Sequence, residues 1–391
     1  MLLPLTNTPR PYAWGSTTLL ARLQGREPTG RPEAELWFGA HPGAPSTVAD
    51  GTGRTLDRWL ADQSRGESVP LPYLLKLLAI AHPLSIQAHP SKEQAAAGFA
   101  REEAAGIPRD APERSYRDDN HKPELIVAVS ETFRALVGLR EVAATRRLLD
   151  ALGDAPGVRA VRDRLAEGGA APGALPRSLV PWLLSAAAAE AVADVRRALR
   201  DARSDEFHRE LELARRLVEE LPADPGIVVA LLMNLVVLER GEGLFVPAGM
   251  LHAYVDGLGV EVMAASDNVL RGGFTGKHVD VAELGAVLDP AAGPVEIVRP
   301  VRRAGAVGDV ADYPVPVADF ALARVRAEFG APAQLHPRGT AIALAVAGEV
   351  TLAQGASAER LRPGRALLVT SDDRPLRVSG AGEVFVAQPG G

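Results

Sequence analysis

GEGLFVPAGMLHAYVD, from Gly241 to Asp256, decides the fold. Its apolar residues fall on either side of Pro247-Ala248-Gly249, and that Pro-x-Gly break forces the chain to turn tightly from one strand into the next. His252 then stands at the start of the second strand. In a closed sheet this places the imidazole at the barrel mouth, where it can meet side chains from distant parts of the chain. Read alone, the segment also fits a hairpin with an incidental histidine.

The spacing Gly241, five residues, Pro247, one residue, Gly249, two residues, His252 resembles the second half-motif of the cupin barrels. Two earlier stretches supply partners. In SIQAHP, strand alternation puts Ser85, Gln87 and His89 on one face and Ile86 and Ala88 on the other, so Gln87 and His89 can grip one metal at i, i+2 spacing. In HKPELIVAV, Lys122 and Glu124 share a side of a strand whose continuation, Leu125 to Val129, is apolar throughout. A strand buried on both faces begins with a charge only where that charge is paired or bound to a metal. Gln87, His89, Glu124 and His252 together make a set of nitrogen and oxygen ligands suited to Zn²⁺ with one position left open. With no cysteine in the chain, thiolate sites and disulfides are excluded.

Residues 1–137 read as β-rich, with short apolar runs punctuated by Gly and Pro, and from 139 to 220 the texture changes to Ala, Leu, Arg and Glu at helical spacing. Asp224 and Pro225 look like an N-cap and first-turn pair opening a further short helix, strands resume at LVVLERGEG, and the chain after 290 is again β-like. The expected class is therefore mainly β with a helical insertion: a metal-bearing cupin (jelly-roll) domain from 1–138 and 233–289, a helical insertion from 139–232, and a second, metal-free jelly roll from 290–391. The C-terminal stretch PGRALLVTSDD has the turn of the motif but no histidine at a ligand distance.

At 391 residues the chain is long enough for more than one core, and 47% apolar with 24% charged residues is ordinary for a globular protein. No segment offers about 18 uninterrupted apolar residues, and the N-terminus lacks the pattern of a secretory signal, so no membrane partner and a cytoplasmic location are expected. A net charge of -6 argues against broad nucleic-acid binding and requires a local basic pocket for any anionic substrate. Of 43 basic residues only four are lysines, Lys76, Lys92, Lys122 and Lys277, all close to the candidate ligand segments. In so arginine-rich a chain, a retained lysine marks a place where a compact ammonium is needed, unless it is there by chance.

The segment GVEVMAASDNVLRGGFTGKHVD follows the His252 strand and carries Glu261, Asp267, Arg271 and Lys277. A glycine-flanked loop with Arg and Lys suits a phosphate or an enediolate oxygen, and equally an ordinary charged surface loop. With YAWGS, AELWFGAHPGAPS, PLSIQAHPSKEQA, YRDDNHKPELIVAV and FVPAGMLHAY it makes six strings that, in this order through residues 11–284, resemble the type I mannose-6-phosphate isomerases.

That resemblance implies one zinc per chain on Gln87, His89, Glu124 and His252, a sugar-phosphate substrate, and aldose–ketose exchange between mannose 6-phosphate and fructose 6-phosphate through a cis-enediol. It implies that Arg271 is catalytic and that Ser85, Lys76, Lys122, Tyr254, Asp267, Lys277 and Glu261 lie in or near the substrate pocket. Among these, Glu261 is the first choice of base, on the ground that its strand parity matches Asp267 and Arg271 if the strand is unbroken; His121 and Lys122 are alternatives. The family's Leu-Thr-Pro-Lys reads Phe274, Thr275, Gly276 and Lys277 here, which puts the placement of Lys277 in more doubt than that of Arg271.

Two other functions compete: an isomerase of a related sugar phosphate, and a catalytically silent sugar-binding or regulatory bicupin. The second should have lost Arg271 or a ligand, and this chain keeps them all. His41, His82 and His278 are expected in core or surface roles, His208 and His336 away from the metal, and Trp14 and Trp37 as core anchors. The sequence leaves the oligomeric state open, although a monomer is compatible with it.

Overall fold

The computed structural model describes residues 1–63, 71–370 and 374–391. Within these residues the strands form two ten-stranded sheets, every strand pair in them antiparallel, and six α-helices from Val142–Asp150 to Gly226–Leu231 fall between strands of one of the sheets. No helix among the described residues is long and apolar enough to cross a membrane. The architecture is mainly β with a helical insertion, as the texture of the sequence predicts.

The strand His252–Ala264 is the spine of the first barrel. Its first part pairs with Ile86–Ala88 and Thr132–Leu139, and its second part with Tyr73–Ile80 and Glu124–Ala128, so one strand serves both walls of the barrel. The register sets His252 beside Gln87, Glu261 beside Lys76, and Met263 beside Glu124. Between the two parts the pairing slips at Tyr254 and Asp256, and Gly257 adopts φ 122°, a conformation that favours glycine. A Cβ there would also lie 2.8 Å from the Phe133 ring.

Neighbouring strands are buried on both faces. Along Tyr73–Ile80, Leu75, Leu77 and Ala79 pack into one core while Leu78 and Ile80 pack into another; along Glu124–Ala128, Leu125 and Val127 part from Ile126 and Ala128 in the same way. The core holding Ile126 and Ala128 fills the first barrel with Phe133, Val137 and Tyr254. The other joins the outside of that barrel to Phe320, Ile342, Leu344 and Phe385 of the second sheet, while the helices pack around Leu148, Val161, Leu183 and Leu217 onto Ile86, Leu251 and Leu270.

The first strand, Leu2–Thr6, pairs with Ala366–Val369 of the C-terminal sheet and with Thr47–Val48. Hydrogen bonds thus cross the division expected between residues 1–138 and 290–391. A five-residue β-run carries no mark of which sheet it will join, because either barrel would accept its buried Leu2 and Leu5. Of the stretch PGRALLVTSDD, Ser371, Asp372 and Asp373 lie outside the described residues.

Leu5 is 2% exposed in the core shared by the two sheets. Leu5→Ala is expected to lower stability to chemical denaturation by about 2–5 kcal/mol, as for a buried leucine. A frayed terminus would show almost no change.

Candidate active site

His89, Glu124 and His252 converge in the first barrel, with one ligand atom from each lying within 4.8 Å of the others, and all three side chains are buried. His89 donates from Nδ1 to the backbone carbonyl of Asn268 at 2.7 Å, and His252 meets the carbonyl of Met250 through Nδ1 at 3.1 Å. A neutral ring that donates from Nδ1 carries its lone pair on Nε2. Burial first, and then the Lys122 ammonium, hold the His89 imidazolium down to a pKa of about 4, so this ring is neutral near pH 7.

Nε2 of His89 lies 3.1 Å from Glu124 Oε1, and Nε2 of His252 lies 3.5 Å from Glu124 Oε2 without a hydrogen-bond partner. Acceptors thus face acceptors in a dry pocket, an arrangement that costs free energy unless a cation stands among them. The residues therefore fit a divalent metal, and neutral imidazoles with a carboxylate are the donor set that zinc accepts.

Burial disfavours the charge on Glu124, but the Lys122 ammonium opposes it and the carboxyl stays well below its usual range. Lys122 Nζ lies 2.9 Å from Oε1 and the Tyr254 hydroxyl donates to Oε2 at 3.0 Å. Opening from this cluster is a cavity of about 320 Å³, lined by Lys76, Ser85, Gln87, Lys122, Glu124, Tyr254, Glu261, Asp267, Arg271 and Lys277. Every candidate site residue apart from His89 and His252, which lie behind Glu124, is on this wall.

Over residues 2–142 the chain matches the family profile described as phosphomannose isomerase type I, catalytic domain. It is 36% identical over 408 residues to the mannose-6-phosphate isomerase of Escherichia coli (strain K12), with 97% of each chain covered, and 32% identical over 396 residues to mannose-6-phosphate isomerase 1 of Arabidopsis thaliana, covering 92% of this chain and 87% of that one. This chain belongs to the type I mannose-6-phosphate isomerases. Its fold is shared by the crystal structure of mannose 6-phosphate isomerase from Salmonella typhimurium bound to its substrate and to zinc, with a TM-score of 0.87 and 34% identity over 100% of this chain and 99% of that one. A structure of mannose 6-phosphate isomerase bound with zinc and yttrium matches equally well, at a TM-score of 0.87.

In this isomerase fold, Glu261 is buried against Lys76, whose Nζ lies 3.0 Å away. Burial pushes the Glu261 carboxyl up to about 7, with Lys76 opposing and Glu124 adding to the shift. For Lys76 the order is reversed: burial works against its charge, yet Glu261, Glu35 and Glu124 raise it above the usual lysine range. The parity ground for choosing Glu261 fails, because the strand ends at Ala264 and a new one opens at Leu270. Asp267 and Arg271 reach the same cavity by a different route, through the loop and a second strand in which Arg271 stands beside Gln87. Of the alternative bases, His121 pairs with Asp319 at 2.9 Å and does not line the cavity.

Trp14 and Trp37, expected as core anchors, both line the cavity, and Lys76 Nζ sits 5.0 Å from the centre of a Trp37 ring. His41, expected to be structural, pairs with Asp267 at 3.2 Å on the cavity wall. His82 meets Glu220 at an exposed position and His278 is exposed, as expected; His208 and His336 are likewise remote from the metal cluster. Lys277 is held without the family proline. Asp224 accepts from the Gly226 and Thr275 N–H groups, at 2.7 and 3.2 Å, and so ties the helical block to the loop in which Phe274 takes φ 56°.

Sequence reading missed Asn268 and Arg117. Asn268 is fully buried: its Oδ1 accepts from the Arg117 N–H at 2.7 Å, and its Nδ2 donates to the Asp118 and Asn120 carbonyls at 2.8 and 2.9 Å. With its own carbonyl it fixes His89, so one residue orients a ligand and the loop before HKPE. Asn268→Ala should therefore lose at least about 2 kcal/mol of stability by leaving buried amides and carbonyls unpaired, and should weaken divalent-metal affinity by about 10–100-fold in a chelator competition. Because the backbone carbonyl that meets His89 survives this substitution, unchanged affinity would mean that it stays in place without the side-chain amide's hold on the loop.

Proposed function

We propose that the protein interconverts mannose 6-phosphate and fructose 6-phosphate at a site holding one zinc per chain. The observation that carries this reading is the pair of buried imidazole nitrogens facing both oxygens of Glu124, at the edge of a cavity whose wall also presents Glu261 and several cations. His89, Glu124 and His252 would hold the ion, with Gln87, beside His252 and Arg271 in register and on the cavity wall, as the fourth ligand. Bound there, zinc supplies Lewis-acid stabilisation of the negative charge that develops on sugar oxygens.

The chain's own residues do the rest. Aldose–ketose exchange moves a proton between adjacent carbons while the carbonyl shifts the other way through a cis-enediol. Glu261 is the proposed base: it is on the cavity wall, and its carboxyl is held near the pH at which it can both take and return a proton. Lys76 lies against it and keeps a positive charge beside the carboxylate form. Lys122 and Tyr254 orient Glu124 and, with Ser85, Asp267 and Lys277, offer polar contacts to the sugar phosphate. Arg271 stabilises the negative charge of the enediolate. No described carboxylate lies within ion-pair distance of it, and burial, with Arg117 nearby, holds it below the usual arginine range.

Part of this reading is a division into a catalytic cupin domain (1–138 and 233–289), a helical insertion (139–232) and a C-terminal jelly roll (290–391), with Leu2–Thr6 lent to the last. A cytoplasmic location belongs to it as well.

Metal analysis of the purified protein combined with a coupled assay for fructose 6-phosphate formation tests the proposal directly. His252→Ala should lose both zinc and activity; full occupancy and turnover in that variant would overturn the ligand assignment. Zinc without turnover in the wild type would favour a silent bicupin, and faster turnover of another sugar phosphate would favour a different isomerase. Arg271→Lys should keep zinc and fold while kcat falls at least about tenfold, roughly 1.4 kcal/mol of barrier, because lysine retains the charge and loses the planar fork. A loss wholly in KM would make Arg271 a ground-state anchor.

A further inference from the structure

The cations of the cavity fall into two groups. Deep in it, Lys76 is paired with Glu261 at 3.0 Å and Lys122 with Glu124 at 2.9 Å, so the inner wall is close to electrically balanced. Farther along the wall, Arg117, Arg271 and Lys277 have no carboxylate within ion-pair distance among the described residues. They lie near enough to oppose one another's charge: Arg117 and burial disfavour the charged form of Arg271, and burial, Arg271 and Arg117 disfavour that of Lys277. The nearby carboxylates are committed elsewhere: Glu35, which favours the charge of Lys277 from a distance, accepts from the Trp37 ring N–H and acts on Lys76, Asp267 pairs with His41, and Asp118 holds the Ser266 hydroxyl and the Asp267 N–H. Three mutually repelling cations in one cavity wall are held there at a cost that a dianion removes.

Arg117 is delivered to that place by a rigid backbone. Its N–H is bonded to the buried Asn268 side chain, and the preceding Tyr116 is buried with its hydroxyl on Glu283 at 2.6 Å. The Arg117 side chain itself is exposed, and no hydrogen bond of the guanidinium is formed within the described protein. A fixed Cα with a free fork is the arrangement of a residue that waits for a ligand.

We propose that Arg117 is a binding residue for the phosphate of the substrate, completing with Arg271 and Lys277 a basic end to the cavity. The proposal rests on the sugar-phosphate isomerase reading and deepens it. A guanidinium offers a phosphate two parallel N–H donors, and from an exposed position it contributes equally to the ground state and the transition state. Its signature is therefore a change in KM, in contrast to the kcat effect expected of Arg271.

The test compares Arg117→Gln and Arg117→Lys with the zinc-loaded wild type, measuring initial rates over a range of mannose 6-phosphate, competitive inhibition by inorganic phosphate, metal content and melting temperature. In Arg117→Gln, KM and the phosphate inhibition constant should both rise about tenfold, while kcat stays within about twofold and zinc content and melting temperature hold; Arg117→Lys should recover much of the loss. Unchanged KM and phosphate inhibition would overturn the proposal, as would a fall in kcat with KM intact. If the wild type fails to isomerise mannose 6-phosphate, the activity reading falls, and calorimetry with inorganic phosphate then decides for Arg117. Binding about tenfold weaker in Arg117→Gln would uphold the phosphate site, and equal binding would overturn it.

Discussion

A buried carboxylate, Glu124, is the constraint to which the rest of the site answers. An ionised carboxyl almost wholly out of water costs several kcal/mol unless its oxygens are met by donors or cations. Lys122 meets one oxygen and the Tyr254 hydroxyl the other, and the Nε2 atoms of His89 and His252 face both from two further points of the chain. Removing Lys122 or Tyr254 leaves the charge less compensated, while the two imidazoles are accommodated at low free energy only with a cation between them and the carboxylate. The same constraint explains the lysine: an ammonium fits in the narrow space beside Oε1 where a guanidinium would need more room. Of the chain's four lysines, three line the cavity, and Lys92 starts a helix outside it.

His252 and Tyr254 reach this carboxylate from the first part of their strand, and Glu261 and Met263 line the cavity from the second part. An unbroken strand could not do this, since Tyr254 and Glu261 are separated by an odd number of steps and would point to opposite faces. The slip between Tyr254 and Asp256, with Gly257 at positive φ, inserts the extra residue that restores both to the interior. The metal pocket and the Glu261–Lys76 pair thus share one strand because that strand is bulged between them. Glycine is needed at 257 for conformation and for its closeness to Phe133 alike.

What the sequence reveals follows from the range of each signal. That His89, Glu124 and His252 are candidate ligands is legible because short-range alternation and a Pro-x-Gly turn act within a few residues of each side chain; their convergence depends on closure of the barrel, which only the family resemblance implies. Fold class is legible for the same reason, the helical texture between the β-rich segments being a local property. Parity across Glu261, Asp267 and Arg271 is not, because a strand that ends at Ala264 and restarts at Leu270 breaks the period that the argument needs. The partners of Leu2–Thr6 are hidden because strand pairing over more than 300 positions leaves no trace in a five-residue run. Trp37 and His41 look like packing residues in sequence, and their turn toward Lys76 and Asp267 depends on which way a strand faces once two sheets have closed. Asn268 looks like a turn residue; only burial shows that its amide holds a loop and its carbonyl a histidine.

The distribution of charge in the cavity then follows from depth. Deep groups cannot be left unpaired in the free protein, so the cations there must come with carboxylates, and the resulting pairs are nearly neutral units. Nearer water, unpaired cations cost less, because solvent screens them until a ligand arrives. A chain with a net charge of -6 cannot draw in an anionic sugar by its overall field, so attraction must come from a local excess of positive charge. That excess sits where Arg271 and Lys277 meet Arg117, while the paired interior offers polar groups of both signs to a sugar whose own charge is small. The division assigns the phosphate to Arg117 and Lys277 at the unpaired end and the reacting carbons to the paired end, with Arg271, beside Gln87, standing between the two. It also accounts for the position of Glu261: burial pushes its carboxyl up, and the two cations that oppose the shift are already shared, Lys76 with Glu35 and Glu124, and Lys122 with Glu124.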